Sequence, residues 1–205
     1  MDTENTQRRA PLSQHTIGPF FPPNLFNQVD NDLTHVTQDA APTSKGEPFV
    51  FRGLVMKEDH IPVPNMILEL WQADAYGKFR HPLDPDHAEA DPDFLGWGRA
   101  WTTDEGAFTF HSVRPGVYFE DNQARAPHLN VIIMGAGLMR PVSTTLFFPE
   151  AEEDNAKDPV LNLLPPEMRH RLVMRADGDQ DGVPAYRFDF LLRGSRDEET
   201  PFFET

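Results

Sequence analysis

The sequence predicts an all-β fold, an antiparallel β-sandwich preceded by an extended N-terminal arm and flanked by one or two short helices. Three features point there. From Pro48 onward, seven apolar or alternating runs of strand length follow one another, Gly, Pro, Asn and Asp separate them, and a helical pattern is confined to one stretch near 150–174. The regular alternation of helix and strand that a parallel α/β sheet requires is missing.

Residues 1–47 are dense in Pro, Asn, Asp and Thr and lack periodicity, so they are read as an arm lying over or beside the core, or held by a partner. The core, 48–205, runs through FVFRGLVM, MILELWQAD, FLGWGRAW, AFTFHSV, HLNVIIMGAG, STTLFF and YRFDFLLRG. Thr103-Asp104-Glu105-Gly106 supplies the glycine that a φ > 0 hairpin position needs, and Arg114-Pro115-Gly116 closes the next strand. Between 149 and 174 the alternation stops, Pro165-Pro166 stand where a helix would begin, and EMRHRLVM continues it. No repeat or second domain is evident, and 205 residues suffice for one core.

Charge narrows the function. With 33 acidic against 18 basic side chains and a net charge of -15, the chain repels phosphate backbones and anionic headgroups, which argues against nucleic acid and membrane surfaces as partners. MDTENTQRRAP contains no signal-like apolar run, no long apolar segment follows, and cysteine is absent, so a cytoplasmic location is expected. Thiolate metal sites and cysteine nucleophiles are excluded.

The candidate chemistry is sparse. Asp177-Gly178-Asp179-Gln180-Asp181-Gly182 begins like a calcium loop, but its twelfth position is Phe188 and a strand follows, so it is read as a solvated turn. Residues 80–87, RHPLDPDH, offer two imidazoles and two carboxylates on a proline-bearing loop, where ligands seldom converge. Gly135-Ala136-Gly137 has no helix after it and is read as a hairpin turn rather than a phosphate cradle. No Ser or Thr sits in a nucleophile elbow. Tyr118 and His128 stand at the two ends of a loop between strands, and both side chains can bind ferric iron. The residue sharing His128's strand face two positions on is, however, Asn130. On chemistry alone, the pair reads as a packed tyrosine and a hydrogen-bonded histidine.

The order of six segments carries a family resemblance: SQHTIGPFF from Ser13, LELWQADAYGKF at 68–79, DPDFLGWGRAWTTDEGAFTFHSVRPGVY at 91–118, APHLNVIIM at 126–134, DPVLNLL at 158–164 and AYRFDFLLRG at 185–194. Together they resemble the intradiol ring-cleavage dioxygenases, and within them the iron-free α chain of the two-chain enzymes. The resemblance implies a sandwich shared by α and β chains, with Fe(III) held only by the β chain through two tyrosines and two histidines. It matches Tyr118 to one tyrosine and His128 to one histidine. Asn130 replaces the second histidine, and the second tyrosine falls near Asp86 and His87, so these are vestigial positions and the expected metal set of this chain is none.

The resemblance also implies that the α arm forms a wall of the β substrate pocket, through Thr16, Gly18 and Pro19 with Phe20 beside them. Gly permits close backbone approach, and Pro directs the arm. An arginine that the family carries after the histidine strand is missing at Ala136, with Arg140 nearby. The implied reaction is insertion of both atoms of O2 between the hydroxyl-bearing carbons of 3,4-dihydroxybenzoate, on a homologous iron-binding β partner in a higher αβ oligomer. A transthyretin-like sandwich that only binds is the rival reading.

Overall fold

The computed structural model describes residues 29–135, 137–195 and 197–203. Strand β1 (Pro48–Lys57) is the axis of the first sheet, because its Phe49, Val50, Phe51 and Val55 are all buried. It pairs antiparallel with β5 (Ala107–Val113) from Pro48↔Val113 to Leu54↔Ala107, and near its end with the short β2 (Ile61–Pro62). On β5, Phe108, Phe110 and Ser112 point inward, as the alternation of AFTFHSV requires. Gly106 closes the turn before β5 with φ +74, the conformation anticipated for it.

The second sheet has the order β4 (Trp97–Trp101), β3 (Ile67–Trp71), β8 (His128–Met134) and β9 (Val142–Phe147), all antiparallel. Leu68, Leu70, Leu129, Val131 and Ile133 from this sheet meet Phe51 and Phe110 from the first in a core with no solvent exposure. A separate hairpin of β6 (Tyr118–Glu120) and β7 (Gln123–Arg125) lies outside both sheets.

Three features differ from the sequence reading. The first sheet is mixed, since β1 also pairs in parallel with β11 (Val183–Arg187) and β12 (Phe190–Leu191), which split the run YRFDFLLRG. The stretch 177–182 is not simply a turn: β10 (Arg175–Gln180) pairs with β11 through a register shift between Ala176 and Asp179, and only Asp181 and Gly182 turn. Asp177 there accepts a hydrogen bond from Arg52 Nε at 2.7 Å. The helical region holds one α-helical turn, α1 (Glu152–Asn155), followed by 3-10 turns at Leu161–Leu163 and Pro166–Leu172. Pro165-Pro166 withholds two N–H groups, and the bonds formed close three residues back, as from Met168 N to Pro165 O. Residues 29–47 pack on the sandwich: Leu33 is wholly buried, its N–H donates to His111 O, and Asp30 O accepts from Arg99 N at 2.7 Å.

Among the described residues, no helix is long and apolar enough to cross a membrane.

Candidate functional site

Alternation along β8 sends Leu129, Val131 and Ile133 into the core, so His128 and Asn130 face outward from the second sheet. In the sheet register Asn130 stands beside Trp71 of β3 and Thr145 of β9. The β6–β7 hairpin folds over this face, and its Tyr118↔Arg125 pair brings the phenol onto His128 and the guanidinium onto the phenol. The turn before β6 depends on Gly116: a Cβ there would lie 2.6 Å from Gly77 N, so only glycine lets the two loops approach.

The segment WQAD braces these loops. Gln72 donates to Val113 O at 2.8 Å and accepts from Ser112 Oγ at 2.7 Å, linking the two sheets. The buried Asp74 carboxylate accepts from the N–H groups of Tyr76, Lys78 and Asp91, which sets the path of the loop from 74 to 91. That loop brings Phe79 edge-on to Tyr118 and stacks it on Trp71, while His81 meets Trp71 edge-on. An open cleft of about 500 Å³ results, with Trp71, Phe79, His81, Tyr118, Arg125 and Asn130 among its walls.

Beneath the cleft, polar groups are held tightly. His128 Nδ1–H donates to Ala126 O at 2.7 Å, which leaves Nε2 as the acceptor facing Asn130 Nδ2 at 3.3 Å and the Tyr118 hydroxyl at 3.5 Å. Asn130 is oriented by Thr145, whose hydroxyl donates to Oδ1 at 2.9 Å. Arg125 donates from Nε to Asp158 Oδ2 at 3.0 Å, and from Nη1 to Glu120 Oε2 at 2.7 Å and Tyr118 Oη at 3.4 Å. Asp158 is wholly buried and also accepts from the N–H groups of Ala126, Val160 and Leu161.

The protonation states follow from this packing. Burial, with the Arg125 charge second, pushes His128 down to about 4, so its ring is neutral near pH 7. Burial outweighs the opposing pull of Arg125 and pushes Tyr118 up to about 12, which makes it a phenol rather than a phenolate. Burial works against the charge of Arg125, but Tyr118, Asp158 and Glu120 more than offset it and hold the guanidinium charged.

This donor set does not suit ferric iron. The residue two after His128 is an amide rather than a second imidazole, its Nδ2 stands against the His128 Nε2 lone pair, and a fixed guanidinium adjoins the Tyr118 oxygen. Tyr118, His128 and Asn130 are therefore brought together, but as a hydrogen-bonded cluster. Asp86 and His87 do not join them: Asp86 pairs with Lys78, and it is His81, Leu83 and Asp84 that reach the cleft. Arg140 lies exposed between β8 and β9. Thr16, Gly18, Pro19 and Phe20 lie outside the described residues, as does Ala136. The reading of the residues missed Arg125 and Asp158, whose only signal is that both fall in or beside the segments APHLNVIIM and DPVLNLL.

The sequence pattern of the family described as Dioxygenase matches residues 16–194. The protocatechuate 3,4-dioxygenase alpha chain of Pseudomonas putida is 36% identical over 169 residues, covering 80% of this chain and 80% of its own length. The protocatechuate 3,4-dioxygenase beta chain of Burkholderia cepacia is 33% identical over 199 residues, covering 92% of this chain and 83% of its own. Among solved structures, 3-chlorocatechol 1,2-dioxygenase of Rhodococcus opacus superposes with a TM-score of 0.59 at 24% identity, over 86% of this chain and 69% of its own, a likeness of fold.

Proposed function

Since the chain belongs to the intradiol ring-cleavage dioxygenases, we propose that it is the alpha-type subunit of a protocatechuate 3,4-dioxygenase and completes the substrate pocket of an iron-bearing beta chain. The reaction is cleavage of 3,4-dihydroxybenzoate by O2, both oxygen atoms entering the product 3-carboxy-cis,cis-muconate. Identity to alpha and beta relatives is similar, at 36% and 33%. What favours the alpha reading is one observation, the Asn130 amide and the Arg125 guanidinium standing against the His128 and Tyr118 atoms that a ferric ion would need.

Iron in the beta chain supplies the activation of the bound catechol, and this chain's share is positioning. The arm residues Thr16, Gly18 and Pro19 form a wall of that pocket in this reading. The substrate is an anion and this chain carries -15, so the group that holds its carboxylate comes from the beta chain. An acidic, cysteine-free chain of this kind works in the cytoplasm.

Mixing provides the test. The purified chain alone is expected to be colourless and inactive, with ring cleavage appearing only when a homologous chain with both tyrosines and both histidines is added, and with all iron in that partner. A visible tyrosinate-to-iron band in this chain alone overturns the assignment. For the arm, Gly18→Val is expected to lower kcat/KM of the complex between about tenfold and a hundredfold, by placing a branched side chain against the substrate. Thr16→Ala costs about 0.5 to 1.5 kcal/mol in the same measurement, one hydrogen bond's worth. Iron content and assembly stay as in wild type, and loss of assembly with Gly18→Val would make the arm structural instead.

A further inference from the structure

The outer face of the second sheet carries apolar side chains where a water-facing sheet carries polar ones. All three tryptophans of the chain, Trp71, Trp97 and Trp101, take outward positions on β3 and β4, and none belongs to the buried core. In register across the sheet, one row reads Trp97, Trp71, Asn130, Thr145 and the next Arg99, Glu69, Ile132, Ser143. A corresponding outward row of the first sheet is Thr109, Arg52 and Arg187, which is wholly polar. Asn130 is shared by two hollows: the cleft already described, with Leu83 and Phe119 on its walls, and an apolar groove of about 570 Å³ lined by Ile132, Val160, Leu163 and Phe203 among others. Leu83, Phe119 and Leu163 are 86%, 75% and 71% exposed, and large apolar side chains gathered in this way mark a contact surface.

We propose that this face, from the rim at Leu83 and Phe119 across Asn130 and Ile132 to Leu163, is the surface on which the homologous beta-type chain docks. The inference rests on the subunit assignment above. Charge indicates the kind of partner. The groove is lined by uncharged residues throughout, and the ion pair on the sheet, Arg99 Nε to Glu69 Oε1 at 2.9 Å, neutralises itself. In a chain of net charge -15 this is a neutral patch, so it fits an apolar protein surface and not a cationic one. Tryptophan beside a paired arginine is also the composition in which binding energy concentrates. Chains of one fold that meet about a twofold or pseudo-twofold axis present the same patch to each other, and the beta relative matches this chain over 83% of its own length. A second copy of this chain would bring -15 against -15, whereas a homologous chain carries the same sheet without being bound to that charge.

Sedimentation velocity of the full chain, alone and mixed with a homologous beta chain that keeps both tyrosines and both histidines, reads the assembly. Leu83→Asp and Leu163→Asp are each expected to weaken it at least about tenfold, and together to abolish it, because an unpaired charge then enters an apolar contact. Ile61→Asp, at a half-exposed apolar side chain on the first sheet, is expected to change it less than about twofold. Melting of each isolated variant should stay within about 2 °C of wild type, since these side chains face solvent before assembly. Assembly that ignores the double substitution, or that Ile61→Asp weakens as much, overturns the proposal. A larger fall in melting does so too, because the side chains would then pack within this chain. Self-association of the wild type that the same substitutions abolish makes the occupant a second copy and likewise overturns it. A wild-type chain that never binds the beta chain removes the subunit assignment and this surface with it, whereas assembly indifferent to the substitutions removes the surface alone.

Discussion

Asp158→Ala is expected to destabilise the chain by about 3 to 5 kcal/mol, the range for removing one partner of a buried ion pair. The carboxylate has no solvent exposure and binds Arg125 Nε, Ala126 N, Val160 N and Leu161 N. Alanine leaves all four donors without this acceptor and strands a buried guanidinium with only the more exposed Glu120 to neutralise it. The damage falls where three pieces meet: the end of β7, the start of β8 and the 3-10 turn at Leu161–Leu163. Chemical denaturation checks the magnitude, and thermal melting should drop by on the order of 10 °C. The double variant Asp158→Ala/Arg125→Met should cost clearly less than the sum of the two single changes, because removing both charges also removes the uncompensated one. Additive losses would mean that the two side chains act separately, and that Asp158 serves only as an acceptor for backbone N–H groups.

Acidification should cost the protein about 3 kcal/mol through His128 alone, an order-of-magnitude figure from a pKa near 4 in the folded chain against 6.5 unfolded. The sign follows from which state takes up the proton. Between these values the unfolded imidazole is protonated and the folded one is not, so falling pH favours unfolding. The stabilisation is complete above about pH 6.5, is lost as pH falls towards 4, and changes no further below that, where both states carry the proton. Unfolding free energies measured from pH 4 to 8 should therefore rise more steeply in wild type than in His128→Gln, which keeps a polar side chain but does not titrate. Carboxylates contribute equally to both curves and cancel in the difference. Parallel curves would show that His128 is not held neutral by its burial and by the neighbouring guanidinium.

What the sequence determined by itself was whatever depends on near neighbours along the chain. Period-2 alternation in AFTFHSV and HLNVIIM specifies which side chains of β5 and β8 enter the core, because successive strand residues face opposite ways. Gly106 is legible for the same kind of reason, since its turn conformation is a local steric matter. Asn130 in place of a second histidine is legible too, because residues two positions apart on one strand share a face. Tertiary structure decided the rest. Nothing near Arg125 or Asp158 in sequence says that they meet, as the pairing depends on the path of the chain through α1 and the turn after it. The parallel pairing of β1 with β11 and β12 likewise joins segments more than a hundred residues apart, and the alternation of either strand is compatible with both directions. DGDQDG looks like a turn because Gly and Asp favour turns, yet pairing with β11 and the Arg52–Asp177 ion pair draw its first part into a bulged strand. The character of the pocket was decided in the same way: Tyr118 and His128 can each bind iron, and it is the folded neighbourhood, with Arg125 against one and Asn130 against the other, that makes them a phenol and a neutral imidazole.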